Sequence, residues 1–162
     1  MHAFTCWLVG PPISSRTALG VELGAQLRQR GAAVELLDEA LARRLHGLDG
    51  TPDPPCVEYL CRLLMRHSVI TVVMESALRE SVRRSLCLRL APCVVVHVDA
   101  PGLSDPPDAP DHRFVVGRDS LATAIREIME LLEHRKLVPL AISNLDHEEI
   151  LLTKRLTELG YL

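Results

Sequence analysis

The sequence predicts an α/β protein: a five-stranded parallel sheet flanked by helices, with one more helix at the C-terminal end. Two observations predict it. Short apolar, β-branched runs alternate with segments whose apolar residues recur every three or four positions. The runs Phe4–Val9, Val69–Met74 and Cys93–Val98 are apolar throughout rather than alternating, as in strands covered on both faces. Strands separated by helices need crossover connections, which leave the strands parallel.

Phe4–Val9 is the first strand. Leu19, Leu23 and Leu27 then recur at i, i+4 and i+8 and give the next helix one apolar face, and Gly31, just past Arg28 and Arg30, stops it. Ala33–Leu37 is the second strand, with Asp38 and Glu39 at its end and a short helix carrying Arg43 and Arg44. Gly47–Pro55 holds two glycines and three prolines and reads as a loop. A helix over Val57–Arg66, the strand Val69–Met74, an arginine-rich helix over Ala77–Leu88 and the strand Cys93–Val98 follow. Gly102–Asp111, with three prolines and three aspartates, is an acidic loop. Phe114–Val116 is the fifth strand, and Leu121, Ile125, Ile128, Met129 and Leu132 mark a helix with one apolar stripe. Pro139 interrupts the chain. Ser143 opens a last helix, with Asp146 three residues on and Leu145, Leu152, Leu156 and Leu159 on one side. The chain therefore divides into a domain over 1–138 and a helical tail over 139–162.

With 162 residues, 48% hydrophobic content and a net charge of -3, the chain is long enough and apolar enough for one packed domain. The charge offers no general attraction to nucleic acid, and 3% aromatic residues leave little for base stacking. No apolar run approaches the roughly 20 residues of a membrane span, and no basic segment precedes Phe4–Val9 as a signal peptide requires. A cytoplasmic chain with no membrane or nucleic-acid partner is expected. The five cysteines, Cys6, Cys56, Cys61, Cys87 and Cys93, form no C-x-x-C pair and read as reduced, mostly structural thiols. Cys56, Cys61 and His67 match no common zinc spacing.

Function is expected around Cys6–Thr17. A strand, a tight loop and a helix start are the setting of Gly-x-x-x-x-Gly-Lys-Ser/Thr, in which backbone amides cradle phosphates. Gly10 holds the first glycine position, Ser15 the second, Arg16 that of the lysine, and Thr17 that of the hydroxyl that binds magnesium. Gly10, Ser14, Ser15, Arg16 and Thr17 are thus the candidate contacts for ATP, and Thr17 for its Mg. In such sheets ligands bind beyond the carboxyl ends of the strands, where Gly10, Asp38, Ser76 and Asp99 all fall.

Taken together, Phe4–Gly10, Val34–Asp38 with Arg43, Glu75–Arg79 and Val94–Pro101 resemble, in order and spacing, four segments of the adenylylsulfate (APS) kinase family. That family has the P-loop fold and moves a phosphate from ATP to the ribose 3′-hydroxyl of adenosine phosphosulfate. The resemblance implies Asp38 as the catalytic carboxylate, with Arg43, Ser76 and Arg79 on the sulfonucleotide, and a homodimer. The plain alternatives are a helix N-cap for Asp38, a turn for Ser76, and a solvated helix face for Arg79 beside Arg83 and Arg84. Asp99 closes a strand end, and His97 reads as a core histidine.

The departures from the family pattern carry the functional expectation. Pro12, Ile13 and Ser15 stand where the family has glycines, and β-branched Ile13 resists the geometry of an amide nest. Arg16 is a poor stand-in for a compact ammonium. Ala40 replaces a second aspartate, the paired arginines are missing near Pro55 and Cys56, and the acidic loop replaces a basic lid. Phosphoryl transfer needs positioning and charge neutralisation together, so these losses compound. The expectation is a non-catalytic pseudokinase serving as scaffold, regulatory subunit or partner-binding module, with its C-terminal helix as a docking element. The alternative is a live ATP-dependent kinase for adenylylsulfate or a related small acceptor.

Overall fold

The computed structural model describes residues 3–11, 13–38, 40–41, 54–74, 80–100, 110–139 and 157. Among them five strands, β1 (Thr5–Val9), β2 (Ala33–Asp38), β3 (Val69–Met74), β4 (Cys93–Asp99) and β5 (His112–Val115), form one sheet in the order β2-β3-β1-β4-β5. Every pairing is parallel. The described helices are α1 (Ile13–Gln29), α2 (Pro54–Arg66), α3 (Glu80–Arg89) and α4 (Leu121–His134). The expected α/β class and five-stranded parallel sheet are therefore present.

The helices lie in two layers because the central strands β1, β3 and β4 are buried on both faces. On one face Leu19, Leu23 and Leu27 of α1 and Ile125, Ile128 and Leu132 of α4 pack on Leu8, Val72, Val94, Val96 and Val98. On the other, Val57 and Cys61 of α2, Leu86 of α3 and Leu90 just past it pack with Trp7, Val9, Leu37 and Val73. β1 is central and buried along its whole length, which places the chain that leaves Val9 at the middle of the carboxyl edge.

α1 stops as its sequence predicts. Gly31 takes φ +82, and the Gly31 and Ala32 amides donate to the Arg28 and Leu27 carbonyls at 2.9 and 3.1 Å. An ion pair between Arg30 and Glu133 ties the end of α1 to α4.

Some boundaries differ from expectation. α2 begins at Pro54, inside the expected loop; proline suits a first helical turn, where its missing N–H would have had no partner. β5 begins at His112 rather than Phe114. Its pairing is started by Asp111, whose amide donates to the Val95 carbonyl at 2.9 Å and whose carboxylate accepts from the Val95 amide at 2.7 Å. Asp111 also pairs with Arg135, so this aspartate of the expected acidic loop is structural. Arg83 is buried, whereas Arg84 beside it is exposed. Arg83 precedes Leu86 and Leu90 by three and seven positions and shares their inward side. The acidic loop up to Ala109, and the tail except for Pro139 and Thr157, lie outside the described residues. No described helix is long and apolar enough to cross a membrane.

Candidate functional site

At the carboxyl edge the chain leaves β1 at Gly10 and passes directly over β4. Gly10 has φ +120, and a Cβ built there would lie 1.8 Å from the Val98 carbonyl oxygen. Only glycine meets both conditions. The first position of the expected phosphate motif is thus fixed by steric demand from the sheet.

After that crossing the expected motif departs from an open anion nest. α1 already begins at Ile13, so Ser14, Ser15, Arg16 and Thr17 are all helical. Ile13 is 58% exposed, so its side chain does not fill the loop. Arg16 occupies the inner side instead. It is 1% exposed, and its Nη1 donates to the Gly10 carbonyl oxygen.

Helical phase explains this. Position 16 precedes Leu19, Leu23 and Leu27 by three, seven and eleven residues, so it lies on the buried stripe. Helical side chains lean toward the N-terminus, so a long one in the first turns sweeps back over the loop before it. Thr17 is one residue further round and exposed, as is Ser14, while Ser15 is half-buried.

Asp38 is the last residue of β2 and exposed. Its Oδ1 accepts from the Leu41 amide at 2.6 Å, the contact of an N-cap. The expected base is therefore engaged in local structure, with Oδ1 turned to the backbone that follows. Arg43, Ser76 and Arg79 lie outside the described residues. Among the expected site residues that are described, Gly10 and Arg16 are in direct contact.

Tertiary structure also assembles a group that the motif reading did not combine. His97 and Asp99 project from the same face of β4, two residues apart, and both are buried. Arg113 on β5 pairs in register with His97. Its Nε donates to Asp99 Oδ2 at 3.1 Å, and its Nη2 donates to the same oxygen. That hydrogen-bonded guanidinium holds the Asp99 carboxyl below the usual carboxylate range. Asp99 Oδ1 and His97 Nδ1 are buried with no hydrogen-bond partner. The signal in sequence was the alternation of two polar residues within an apolar strand; the arginine came from a register that no local pattern gives.

Burial lowers the His97 pKa, opposed by Asp99 and assisted by the charges of Arg113 and Arg83. The sign follows from linkage. A histidine that titrates near 6.5 when unfolded keeps its full stabilising contribution above about that pH and loses it as pH falls through the lower folded value. His97→Gln should therefore flatten the decline in unfolding free energy below pH about 6.5. Urea unfolding of both proteins across that range checks it, and parallel slopes would contradict it.

Among the described residues no group of three or more His, Cys, Asp or Glu side chains could hold a metal ion.

No profile of a known protein family matches the chain. A probable adenylyl-sulfate kinase of Pyrococcus abyssi (strain GE5 / Orsay) is 26% identical, with 100% of this chain and 99% of that protein covered. Among solved structures, the hexameric APS kinase from Thiobacillus denitrificans matches with a TM-score of 0.70 at 20% identity over 86% of this chain. This chain spans 30% of the length of that protein. The Mycobacterium tuberculosis APS kinase CysC in complex with AMPPNP and APS matches with a TM-score of 0.65 at 18% identity, covering 82% of this chain and 98% of that one. Whole-length sequence similarity and a shared α/β fold thus bear out the resemblance read from the four segments: the chain is similar to adenylyl-sulfate kinases.

Proposed function

We propose that this adenylyl-sulfate-kinase-like chain is non-catalytic, and that it serves as a scaffold, regulatory or partner-binding module on an inherited fold. One observation carries the reading: Arg16, at the lysine position, is buried against the Gly10 carbonyl. A cation committed to the protein's own backbone is not available to neutralise charge on a transferred phosphoryl group. The early start of α1 at Ile13 supports the same reading, because a helical 13–17 segment lacks the successive inward amides of a glycine nest. A loop closed by its own arginine and a helical 13–17 segment do not fit ATP and Mg. A second copy of this chain, or another protein, is the partner class that such a module serves, with the helix expected from the sequence after Ser143 as the docking element.

The alternative, an active ATP-dependent phosphotransferase acting on adenylylsulfate or a related acceptor, draws on the similarity to the Pyrococcus protein along both whole chains. It also draws on Thr17, which is exposed at the magnesium position. Thermal unfolding with millimolar MgATP separates the two. A ligand at about one hundred times its Kd stabilises the fold by about 2.7 kcal/mol, which is about 5–10 °C for a chain of this size. The non-catalytic reading expects no shift in melting temperature and no turnover when adenylylsulfate is added. A shift of several degrees together with turnover would establish the kinase.

A further inference from the structure

A groove of about 680 Å³ lies between α1 and α4. Glu22, Gln26 and Arg30, spaced four apart, form its α1 wall. Ile125 and Met129, both buried, line it from α4, and Leu121, 36% exposed, lines it at the N-terminal end of that helix. The chain that leaves α4 is brought to this groove. Lys136 takes φ 57, and the Lys136 and Leu137 amides donate to the Glu133 and Leu132 carbonyls at 2.8 and 2.9 Å. This left-handed cap, with Leu137 and Leu132 in one apolar cluster, turns the chain back on itself. Leu137 and Val138 bury in that cluster, and the Pro139 carbonyl accepts from Arg30 Nη1 at 3.1 Å. Arg30 also pairs with Glu133, so one arginine of the groove wall holds both the end of α4 and the start of the tail.

We propose that this groove is the docking site of the chain's own tail: residues 140–162 return along it as a helix, leucine face inward. The reach fits. Residues 135–142 alone separate the end of α4 from Ser143, the expected helix start, and a connection that short leaves two helices as antiparallel neighbours. From Ser143 to Leu159 a helix would be about 25 Å long, the length of α1. The face fits as well. Leu145, Leu152, Leu156 and Leu159 fall on one stripe, the form in which an amphipathic helix enters an apolar groove. Thr157, the one residue described beyond Pro139, is helical and exposed, and its position lies off that stripe.

The charges run in a matching order. Glu148 and Arg155 flank the leucine stripe on one side, about 10 Å apart along a helix. Followed from the tail's entry in the antiparallel sense, the α1 wall presents Arg30 first and Glu22 about 12 Å further on. Acid then meets base at both stations, and such rim pairs set direction more than they add affinity. Held there, the tail is withheld from any partner, which must displace it to reach either surface. This closed arrangement goes beyond the scaffold role proposed above and is independent of whether the chain binds nucleotide.

Methyl NMR on the full-length protein tests the docking. With carbon-13 on the isoleucine, leucine and methionine methyls, the Ile125 and Met129 methyls should show NOEs to those of Leu152 and Leu156. In a mixture of labelled and unlabelled chains, a filter that passes only contacts between chains should remove those NOEs. NOEs that survive the filter would mean that a second copy's tail fills the groove, and they would overturn the proposal. So would the absence of these NOEs from the fully labelled sample. Leu152→Asp combined with Leu156→Asp should shift the Ile125 and Met129 methyl resonances and lower the melting temperature by several degrees. Leu88→Asp, at a position 76% exposed on α3, should do neither. A folded double variant with both resonances unmoved would again overturn the docking, and if that variant does not fold, the NOEs of the unmodified chain decide.

Discussion

Gly10→Ala should unfold the protein or lower its stability by at least about 4 kcal/mol, in the range reserved for a steric conflict with no route of relief. The new Cβ would sit 1.8 Å from the Val98 carbonyl oxygen and 2.8 Å from its carbon. The obstacle is backbone, in a strand paired on one side to β1 and on the other to β5, so β4 cannot retreat without breaking two ladders. The left-handed φ of +120 adds its own strain. At about 2–4 °C per kcal/mol, the melting temperature should fall by well over 8 °C. Gly31→Ala isolates the backbone component, because a Cβ there meets nothing within 4 Å at φ +82; its cost should be about 1 kcal/mol. Circular dichroism melts of the two variants decide the matter, and equal small losses would mean that the Gly10 crossing over β4 is not as close as described.

Arg16→Ala should cost about 3 kcal/mol of stability and leave the response to MgATP unchanged. The side chain is buried, its guanidinium satisfies the Gly10 carbonyl, and its stem fills space under the loop. Truncation removes a charge-assisted hydrogen bond and its packing together. Arg16→Lys should recover part of the loss, since an ammonium can reach a carbonyl but does not fill the same volume. Urea denaturation measures the stability, and the melting temperature with and without nucleotide measures the response. A variant as stable as the parent that has lost a nucleotide shift would identify Arg16 as a phosphate ligand and reverse the functional reading.

Much of the scaffold was legible in the sequence. The apolar runs at Phe4–Val9, Val69–Met74 and Cys93–Val98 became strands buried on both faces, because a parallel sheet with helices on both sides needs apolar residues in both directions. Leu19, Leu23 and Leu27 fixed the phase of α1, and Gly31 its end. That same phase placed Arg16 inward, but the phosphate motif directed attention to its charge instead of to its side of the helix. Asp38 carried two readings, and local geometry shows the N-cap contact to Leu41. The sites named at Arg43, Ser76 and Arg79 fall outside the described residues, so the sulfonucleotide side rests on the resemblance alone.

The chain's own letters determined the α/β class and the phase and end of its main helix. These are local properties, set by periodicity and by the conformations each residue tolerates. Tertiary structure alone decided that β4 passes beneath Gly10, that Arg16 spends its charge on a carbonyl six residues back, and that Arg113 reaches Asp99. Those contacts depend on strand order, register and burial, which bring together groups whose separation along the chain carries no sign of the meeting.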